Sequence, residues 1–229
     1  MQRADALSAL VEGYPRSTPY RQTVHHLGDI VLPSGRLEAS DPFTSLGEAF
    51  VFDVPAGTFP VRLTVADVSD AQDGSHLREA YLSVVFAAGE PTRAEVLVPS
   101  GAEPPADDEF YGVPVDAGTV AFADREAIAR CMPSGNWYEG LFDDGSPTSW
   151  FALMDSPDHL VAGSANVVIP GATAGENVVL AHSGWGDGFY PVLGSYDATG
   201  HLLGVHIDLL VAGPDDDDDE PRTAPHATL

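Results

Sequence analysis

The sequence predicts a mainly β domain, or an α+β domain, built as an antiparallel β-sandwich or open barrel with a few short helices. From Leu27 onward, short runs of β-branched and aromatic residues are separated by glycine and proline, which is the pattern of strands and turns. Residues 61–65 alternate apolar and polar side chains, as in a strand with one buried face. The sequence has no repeat at a fixed period, so a solenoid or propeller is not predicted.

In the first half of the chain, apolar residues at helical spacing predict a short helix over residues 2–12, which ends at Gly13. Residues 27–39 then read as two strands or one bent strand. Two further runs flank residues 55–58, which we interpret as a hairpin connection. The same pattern around residues 89–91 predicts another two strands. The proline- and acid-rich stretch after residue 99 is expected to be a surface loop or an internal joint.

In the second half, a strand at residues 119–122 is predicted to lead into a helix that Asp124 caps. A short helix or strand is expected around residues 149–154. Four strands then complete the chain, at residues 166–169, 177–181, 189–196 and 202–210. Asp197 and Gly200 occupy the first and fourth positions of a type I turn, which predicts that the last two strands form a hairpin.

These elements define three parts of the chain. Residues 1–26 are predicted to form the N-terminal helix and its lead-in, and residues 27–213 to form a single β-rich domain. Residues 214–229 are predicted to be a disordered acidic tail, because a run of aspartates has no apolar surface to bury.

The charge of the chain excludes several classes of partner. The net charge is −25 and the pI is about 4.2, so the surface repels nucleic-acid phosphates and anionic lipids. We therefore expect neither nucleic-acid binding nor membrane binding. All ten basic residues are arginines, which rules out lysine-based Schiff-base chemistry. A single cysteine, Cys131, cannot form an internal disulfide, and it predicts a reduced, cytoplasmic location.

A glycine-rich stretch, SGWGDG at residues 183–188, is the strongest local signal. Asp187 lies between two glycines and can either bond to its own backbone in an Asx-turn or face a ligand. Trp185 and Tyr190 beside it would give a partly apolar rim with one fixed acceptor, as ligand sites often have. The sequence leaves both interpretations open.

Three segments carry a resemblance to a known family: LPSGRLEASDPF (residues 32–43), VDAGTVAFAD (115–124) and HSGWGDGFYPVLGSYDATG (182–200). They resemble the signature segments of an uncharacterised bacterial family, domain of unknown function 4241, over about residues 27–212. The resemblance implies a shared fold and carries no known activity. It draws attention to Asp41, Asp116, Asp187 and Tyr190, which lie inside these segments.

The candidate site residues fall into three groups. The candidate catalytic residues are Asp116 and Asp187, as an acid/base or metal-holding pair, and Tyr190, as a donor to an oxyanion. The candidate ligand-binding residues are Arg36, Asp41, Ser183 and Trp185. His206 and Asp208 stand two apart on a predicted strand and so share a face, which makes them candidate metal ligands, with His182 as a third.

The sequence supports two classes of function. The first is an acidic binding or interaction domain that recognises a small ligand or a basic protein partner at a carboxylate-lined pocket. The alternative is a small-molecule hydrolase that uses paired carboxylates or a divalent metal. No nucleophile-elbow, Walker or zinc-protease motif is present, so the sequence decides neither enzyme status nor cofactor.

Overall fold

The computed structural model describes residues 7–106 and 109–213, and it confirms a β-rich fold of antiparallel sheets with short helices. Two open sheets pack face to face as a sandwich. The first has the strand order β1-β4-β5-β12-β11-β6, with β7 also paired to β11, and the second has the order β3-β2-β8-β10-β9. The strands are β1 Arg21–Leu32, β2 Arg36–Ser40, β3 Val51–Asp53, β4 Gly57–Asp67, β5 Leu77–Val85, β6 Arg93–Val96, β7 Gly112–Val115, β8 Thr119–Asp124, β9 Ser164–Val168, β10 Asn177–His182, β11 Gly188–Tyr196 and β12 Leu202–Asp208.

Three short helical segments cover the outer face of the second sheet. Helix α1 spans Arg125–Cys131, and Asp124 caps it as predicted, because its carboxylate accepts a hydrogen bond from the Ala127 amide at 3.0 Å. A π-helical turn spans Tyr138–Phe142, and helix α2 spans Trp150–Asp155. In the described part of the chain, no helix is long and apolar enough to cross a bilayer.

The apolar core has two parts. The larger part lies between the sheets, where Leu63, Leu82 and Ile207 of the first sheet and Phe122 of the second are buried in one cluster. The smaller part lies beneath the helices, around the buried Trp150. Burial of these side chains stabilises the sandwich by about 25 cal/mol per Å² of apolar surface removed from water. The second sheet is therefore covered on both faces.

The outer edge of β1, the longest strand, is occupied by side chains from elsewhere. The amide of Val31 donates to Asn177 Oδ1 at 2.9 Å, and the amide of Val24 donates to Glu12 Oε1 at 3.0 Å. The side chain of Asn166 donates to the Leu27 carbonyl at 2.8 Å. These contacts satisfy backbone groups that an edge strand would otherwise present to another chain.

The hairpin predicted at residues 55–58 is wrong, because β3 pairs with β2 in the second sheet and β4 pairs with β1 and β5 in the first. The chain crosses between the sheets here, beside the crossing that joins β1 to β2. The two crossings touch, and the Val54 amide donates to the Gly35 carbonyl at 2.9 Å. The later hairpin is confirmed, because β11 pairs with β12 across a turn in which the Gly200 amide donates to the Asp197 carbonyl.

The helix predicted over residues 2–12 is not present in its described part. Residues 7–12 contain a turn, and Leu10 has φ +70°, which a helix does not allow. Leu7 and Ala9 are buried against the first sheet, and the Ser8 hydroxyl lies 3.0 Å from the side-chain amide of Gln22. Strand β1 also begins inside the predicted lead-in. Residues 1–6 and the predicted acidic tail, residues 214–229, lie outside the described residues.

Candidate functional site

The glycine-rich stretch forms a corner where two neighbouring strands pass together from one sheet to the other. In the second sheet, β8 and β10 pair as far as Thr119 and His182. In the first sheet, β7 and β11 pair from Val115 and Gly188 onward. Between these pairs lie the short inner crossing, residues 116–118, and the longer outer crossing, residues 183–187. Strands that change sheet in this way make the corners of sandwiches.

Close packing requires glycine at one position of the outer crossing, and the backbone conformation favours glycine at two. A side chain at Gly184 would place its Cβ 2.5 Å from the Glu79 carbonyl oxygen, and Gly184 and Gly186 have φ of +69° and +95°. Ser183 and Tyr190 both donate to the Gly186 carbonyl, at 2.6 and 2.8 Å. Both side chains are buried, and burial raises the pKa of the Tyr190 hydroxyl. These two candidate site residues therefore hold the corner together.

Asp41, a candidate ligand-binding residue, is fully buried, and both of its carboxylate oxygens are occupied. Oδ2 accepts from the Asp116 and Ala117 amides at 3.0 and 2.7 Å. Oδ1 accepts from the Phe43 amide at 3.1 Å and from the Thr119 hydroxyl at 2.9 Å. Asp41 thus holds the inner crossing in place from the interior of the protein. Because its carboxylate accepts four hydrogen bonds, it has no free lone pair directed at solvent.

Asp187 and Asp116, the candidate catalytic pair, are both exposed. Asp187 Oδ1 accepts from the Gly118 amide at 3.1 Å, so its carboxylate is bound to the same crossing that starts at Asp116. The loops that carry Asp41, Asp116 and Asp187 therefore meet, with one carboxylate on the inside of the turn and two on the outside. The catalytic role of the pair stays a prediction.

Arg36 is not brought to this corner. It begins β2, whereas Asp41 follows the end of that strand. Its guanidinium lies 3.1 Å from the Asp53 carboxylate, which belongs to the paired edge strand β3. An exposed ion pair of this kind contributes about 0–1 kcal/mol of stability.

The predicted metal ligands His206 and Asp208 lie on the first sheet and are buried, whereas His182 is exposed at the end of a second-sheet strand. Both ring nitrogens of His206 lie 2.9 Å from serine hydroxyls, those of Ser83 and Ser195, and burial lowers its pKa to about 4. Burial also raises the pKa of Asp208 to about 6. Within residues 7–106 and 109–213, no three His, Cys, Asp or Glu side chains are grouped to hold a metal ion.

Trp185 projects from the outer crossing and is 53% exposed. The guanidinium carbon of Arg78 lies 5.4 Å from the centre of its ring, within the range of a cation–π contact. The ring of His76 approaches the same indole edge-on, with the centroids 6.2 Å apart. We call Trp185, Arg78 and His76 together the Trp185 rim.

Glu79 and His182 face one another from different sheets. Glu79 Oε1 and His182 Nδ1 lie 3.0 and 2.9 Å from the point that a Cβ at Gly163 would occupy. Burial raises the pKa of Glu79, while the nearby charges of His182 and Arg78 act in the opposite direction. A half-buried carboxylate and an exposed imidazole thus pack against Gly163 so closely that a side chain at this position would meet both of them.

The sequence analysis missed Arg78 and Glu79. Alternation along β5 gives no sign that Glu79 turns toward the second sheet, because its direction depends on a bulge. The pairing passes from Thr64–Tyr81 to Val65–Glu79, so the extra residue, Ala80, reverses the face of the residues before it. No glycine or proline marks this bulge in the sequence.

Comparison with known proteins gives a family and no activity. No curated protein and no solved structure matches the chain. A family model described as "Protein of unknown function (DUF4241)" matches residues 30–207, which is most of the chain and includes both pairs of crossings. The chain belongs to this family of proteins of unknown function.

Proposed function

We propose that the protein is a binding domain that holds a small ligand with a flat ring and an anionic group at the Trp185 rim. The observation that carries the proposal is the exposed indole of Trp185 on a corner fixed by buried hydrogen bonds to the Gly186 carbonyl. A ligand ring that covers this indole removes apolar surface from water. Because the corner is already ordered, binding costs little conformational entropy there.

The distribution of charge favours an anionic group on the ligand. Most described arginines lie within ion-pair distance of a carboxylate: Arg21, Arg36, Arg93, Arg125 and Arg130. Arg78 forms no such ion pair within the described residues, and its guanidinium donates to the Leu77 carbonyl at 2.9 Å. In a chain with net charge −25, such a guanidinium is available to a carboxylate or phosphate of a ligand.

The geometry favours binding over the hydrolase alternative. The Tyr190 hydroxyl donates to the Gly186 carbonyl, so it is already engaged where an oxyanion donor was expected. Both oxygens of Asp41 are occupied, Oδ2 by amides of the inner crossing and Oδ1 by the Phe43 amide and the Thr119 hydroxyl. Asp116 and Asp187 are the exposed carboxylates of the corner, and a hydrolase that uses them stays a prediction.

Thermal unfolding with flat anions tests the proposal. We expect nicotinate, adenosine monophosphate and inosine monophosphate to raise the Tm of the wild type, because each binds only the folded state. Ribose 5-phosphate, an anion without a flat ring, should raise it much less. Trp185→Ala and Arg78→Gln should abolish the shift, whereas Tyr138→Ala, which removes another exposed aromatic residue, should preserve it. No shift with any flat anion, or an equal shift in Trp185→Ala, would contradict the proposal.

A basic protein partner and a cytoplasmic location stay predictions. Attraction between the acidic surface and a basic partner would weaken as salt screens the charges over a Debye length of about 8 Å at physiological ionic strength. Binding of an arginine-rich peptide at 50 and 500 mM salt would measure this. Affinity that does not change with salt would argue against the electrostatic partner.

A further inference from the structure

Two loops of the protein contain the same tripeptide, Asp-Gly-Ser, in nearly the same local structure. One is residues 73–75, between β4 and β5, and the other is residues 144–146, before α2. In each, the aspartate carboxylate accepts from the amide of the serine two residues later, at 3.0 Å for Asp73 and 2.8 Å for Asp144. This hydrogen bond makes an Asx-turn, which folds the carboxyl group back over the glycine that follows it.

The two tripeptides differ in what holds the glycine amide. The Gly74 amide donates to Oδ2 of the buried Asp67 at 2.7 Å. Within the described residues, the Gly145 amide makes no hydrogen bond. In other respects the tripeptides match, because both glycines are exposed with φ of +81° and +75°, and hydrogen bonds from the serine lower the pKa of both aspartate carboxyl groups.

We infer that Asp144 is a site of spontaneous isoaspartate formation and that the fold protects Asp73 from the same reaction. The Gly145 nitrogen attacks Cγ of Asp144, so that an N–Cγ bond forms and the amide proton leaves with the carboxyl hydroxyl as water. A water molecule then opens the cyclic imide at the main-chain carbonyl carbon, and the chain continues through Cγ. An amide that must first leave a carboxylate acceptor reaches the attacking geometry less often.

A third Asp-Gly pair, Asp187 and Gly188, is also restrained. Gly188 is the first residue of β11 and is paired with Val115 of β7. The Asp187 carboxylate accepts from the Gly118 amide at 3.1 Å, which directs it toward the inner crossing. Of the three Asp-Gly pairs in the sequence, the one at residue 144 is therefore expected to react first.

Peptide mapping of the folded wild-type protein during storage at neutral pH tests the inference. Electron-transfer fragmentation distinguishes isoaspartate from aspartate although their masses are equal. Isoaspartate at residue 144 should accumulate about tenfold faster than at residue 73, because the Gly74 amide must first break a hydrogen bond to a charged acceptor. In concentrated urea the two rates should become similar, since the reacting tripeptides are identical. Asp144→Glu, whose longer side chain closes the ring more slowly, should remove the signal at residue 144 and leave that at residue 73.

Asp67→Ala is the matched variant, because it removes the acceptor that holds the Gly74 amide. In the folded variant, the rate at residue 73 should rise to within about twofold of the rate at residue 144. An unchanged rate at residue 73 would overturn the protective role of Asp67. If Asp67→Ala does not fold, the wild-type rates decide. Equal rates at residues 73 and 144 in the folded protein, or a difference that persists in urea, would overturn the inference.

Discussion

Asp41 and Asp187 lie on opposite sides of the same turn, residues 116–118, and both accept hydrogen bonds from its amides. Among the described residues, the fully buried Asp41 receives four hydrogen bonds, whereas the exposed Asp187 receives one. The two residues look alike in the sequence, since both are aspartates in loops rich in small and turn-forming residues. Their surroundings give one a structural role and leave the other able to contact a ligand.

The comparison shows that the role of a carboxylate in a candidate site, structural or ligand-binding, can be judged only from the hydrogen-bond donors around it. A buried carboxylate is stable when backbone amides replace its hydration. Asp41 meets this condition completely. Asp208 is also buried, but the hydrogen bond that the structure assigns to its carboxylate is the one from the Leu210 amide. Substitutions at these positions should therefore change the free energy of unfolding by different amounts, and even in opposite directions.

The largest loss of stability is expected for Asp41→Ala. The substitution leaves three backbone amides and the Thr119 hydroxyl without their acceptor in a buried place. At about 1–3 kcal/mol for each unsatisfied group, the free energy of unfolding should fall by more than about 4 kcal/mol. Urea unfolding measures it, with Asp116→Asn, an exposed residue of the same turn, as the control. A loss below about 1 kcal/mol would show that Asp41 does not hold the crossing.

Arg125→Met should cost slightly less, about 3–5 kcal/mol, because it leaves a buried carboxylate without its counter-ion. Arg125 Nε lies 2.6 Å from Glu38 Oε2, and Glu38 is fully buried in the strand that leads to Asp41. The guanidinium also donates to the Gly47 and Ala49 carbonyls, which fixes the loop after Asp41. The double variant Glu38→Met, Arg125→Met should recover much of the loss. If the double variant is no more stable than the single one, the buried charge is not the cause.

Asp208→Asn should raise stability at neutral pH. Burial raises the folded pKa to about 6, above the usual 3.8 of an aspartate, so the ionised form is disfavoured in the folded state. The penalty is absent below pH 4 and complete above pH 6, where it amounts to about 3 kcal/mol at 1.36 kcal/mol per pKa unit. Unfolding measured at pH 4 and pH 7.5 should show the variant gaining stability over the wild type only at the higher pH. A gain of equal size at both would refute the assignment.

His206 should make stability depend on pH in the opposite direction over the same pH range. Burial lowers its folded pKa to about 4, so the neutral ring is favoured, and stability is lost as the pH falls from about 6.5 to about 4. The pH dependences of His206 and Asp208 therefore oppose each other in the wild type. In Asp208→Asn the contribution of His206 is unmasked, and stability should fall more steeply on acidification. An unchanged slope would show that the two effects do not compensate.

The smallest effect is expected for Asp187→Asn. One exposed hydrogen bond to the Gly118 amide is weakened, which should cost less than about 1 kcal/mol of stability. If the hydrolase alternative is correct, the same variant should lose activity while it stays folded. Urea unfolding together with turnover of a hydrolysable substrate separates the two. A loss of stability comparable to that of Asp41→Ala would remove the contrast between the two aspartates.

Local signals in the sequence were sufficient for two elements whose hydrogen bonds are also local. The cap at Asp124 and the turn that begins at Asp197 depend on residues within four positions, and both are present as predicted. The connection at residues 55–58 depends on which sheet each flanking strand joins, which is decided by distant pairing, and its prediction was wrong.

The same limit applies to the site. The sequence located the corner at residues 183–188 but could not show that Ser183 and Tyr190 face inward while Trp185 faces outward. It also missed Glu79, because the bulge that turns this residue inward has no local marker. The long-range contacts that form the site are those that a single sequence describes least.

The occupied edge of β1 has a consequence for assembly. A long outer strand is the usual starting point for polymers in which one molecule extends the sheet of the next. Here the Asn177 and Glu12 side chains already cap Val31 and Val24, so an incoming strand would first have to displace them. Removing Glu12 and Asn177 would therefore be a direct way to make the sandwich prone to fibre formation.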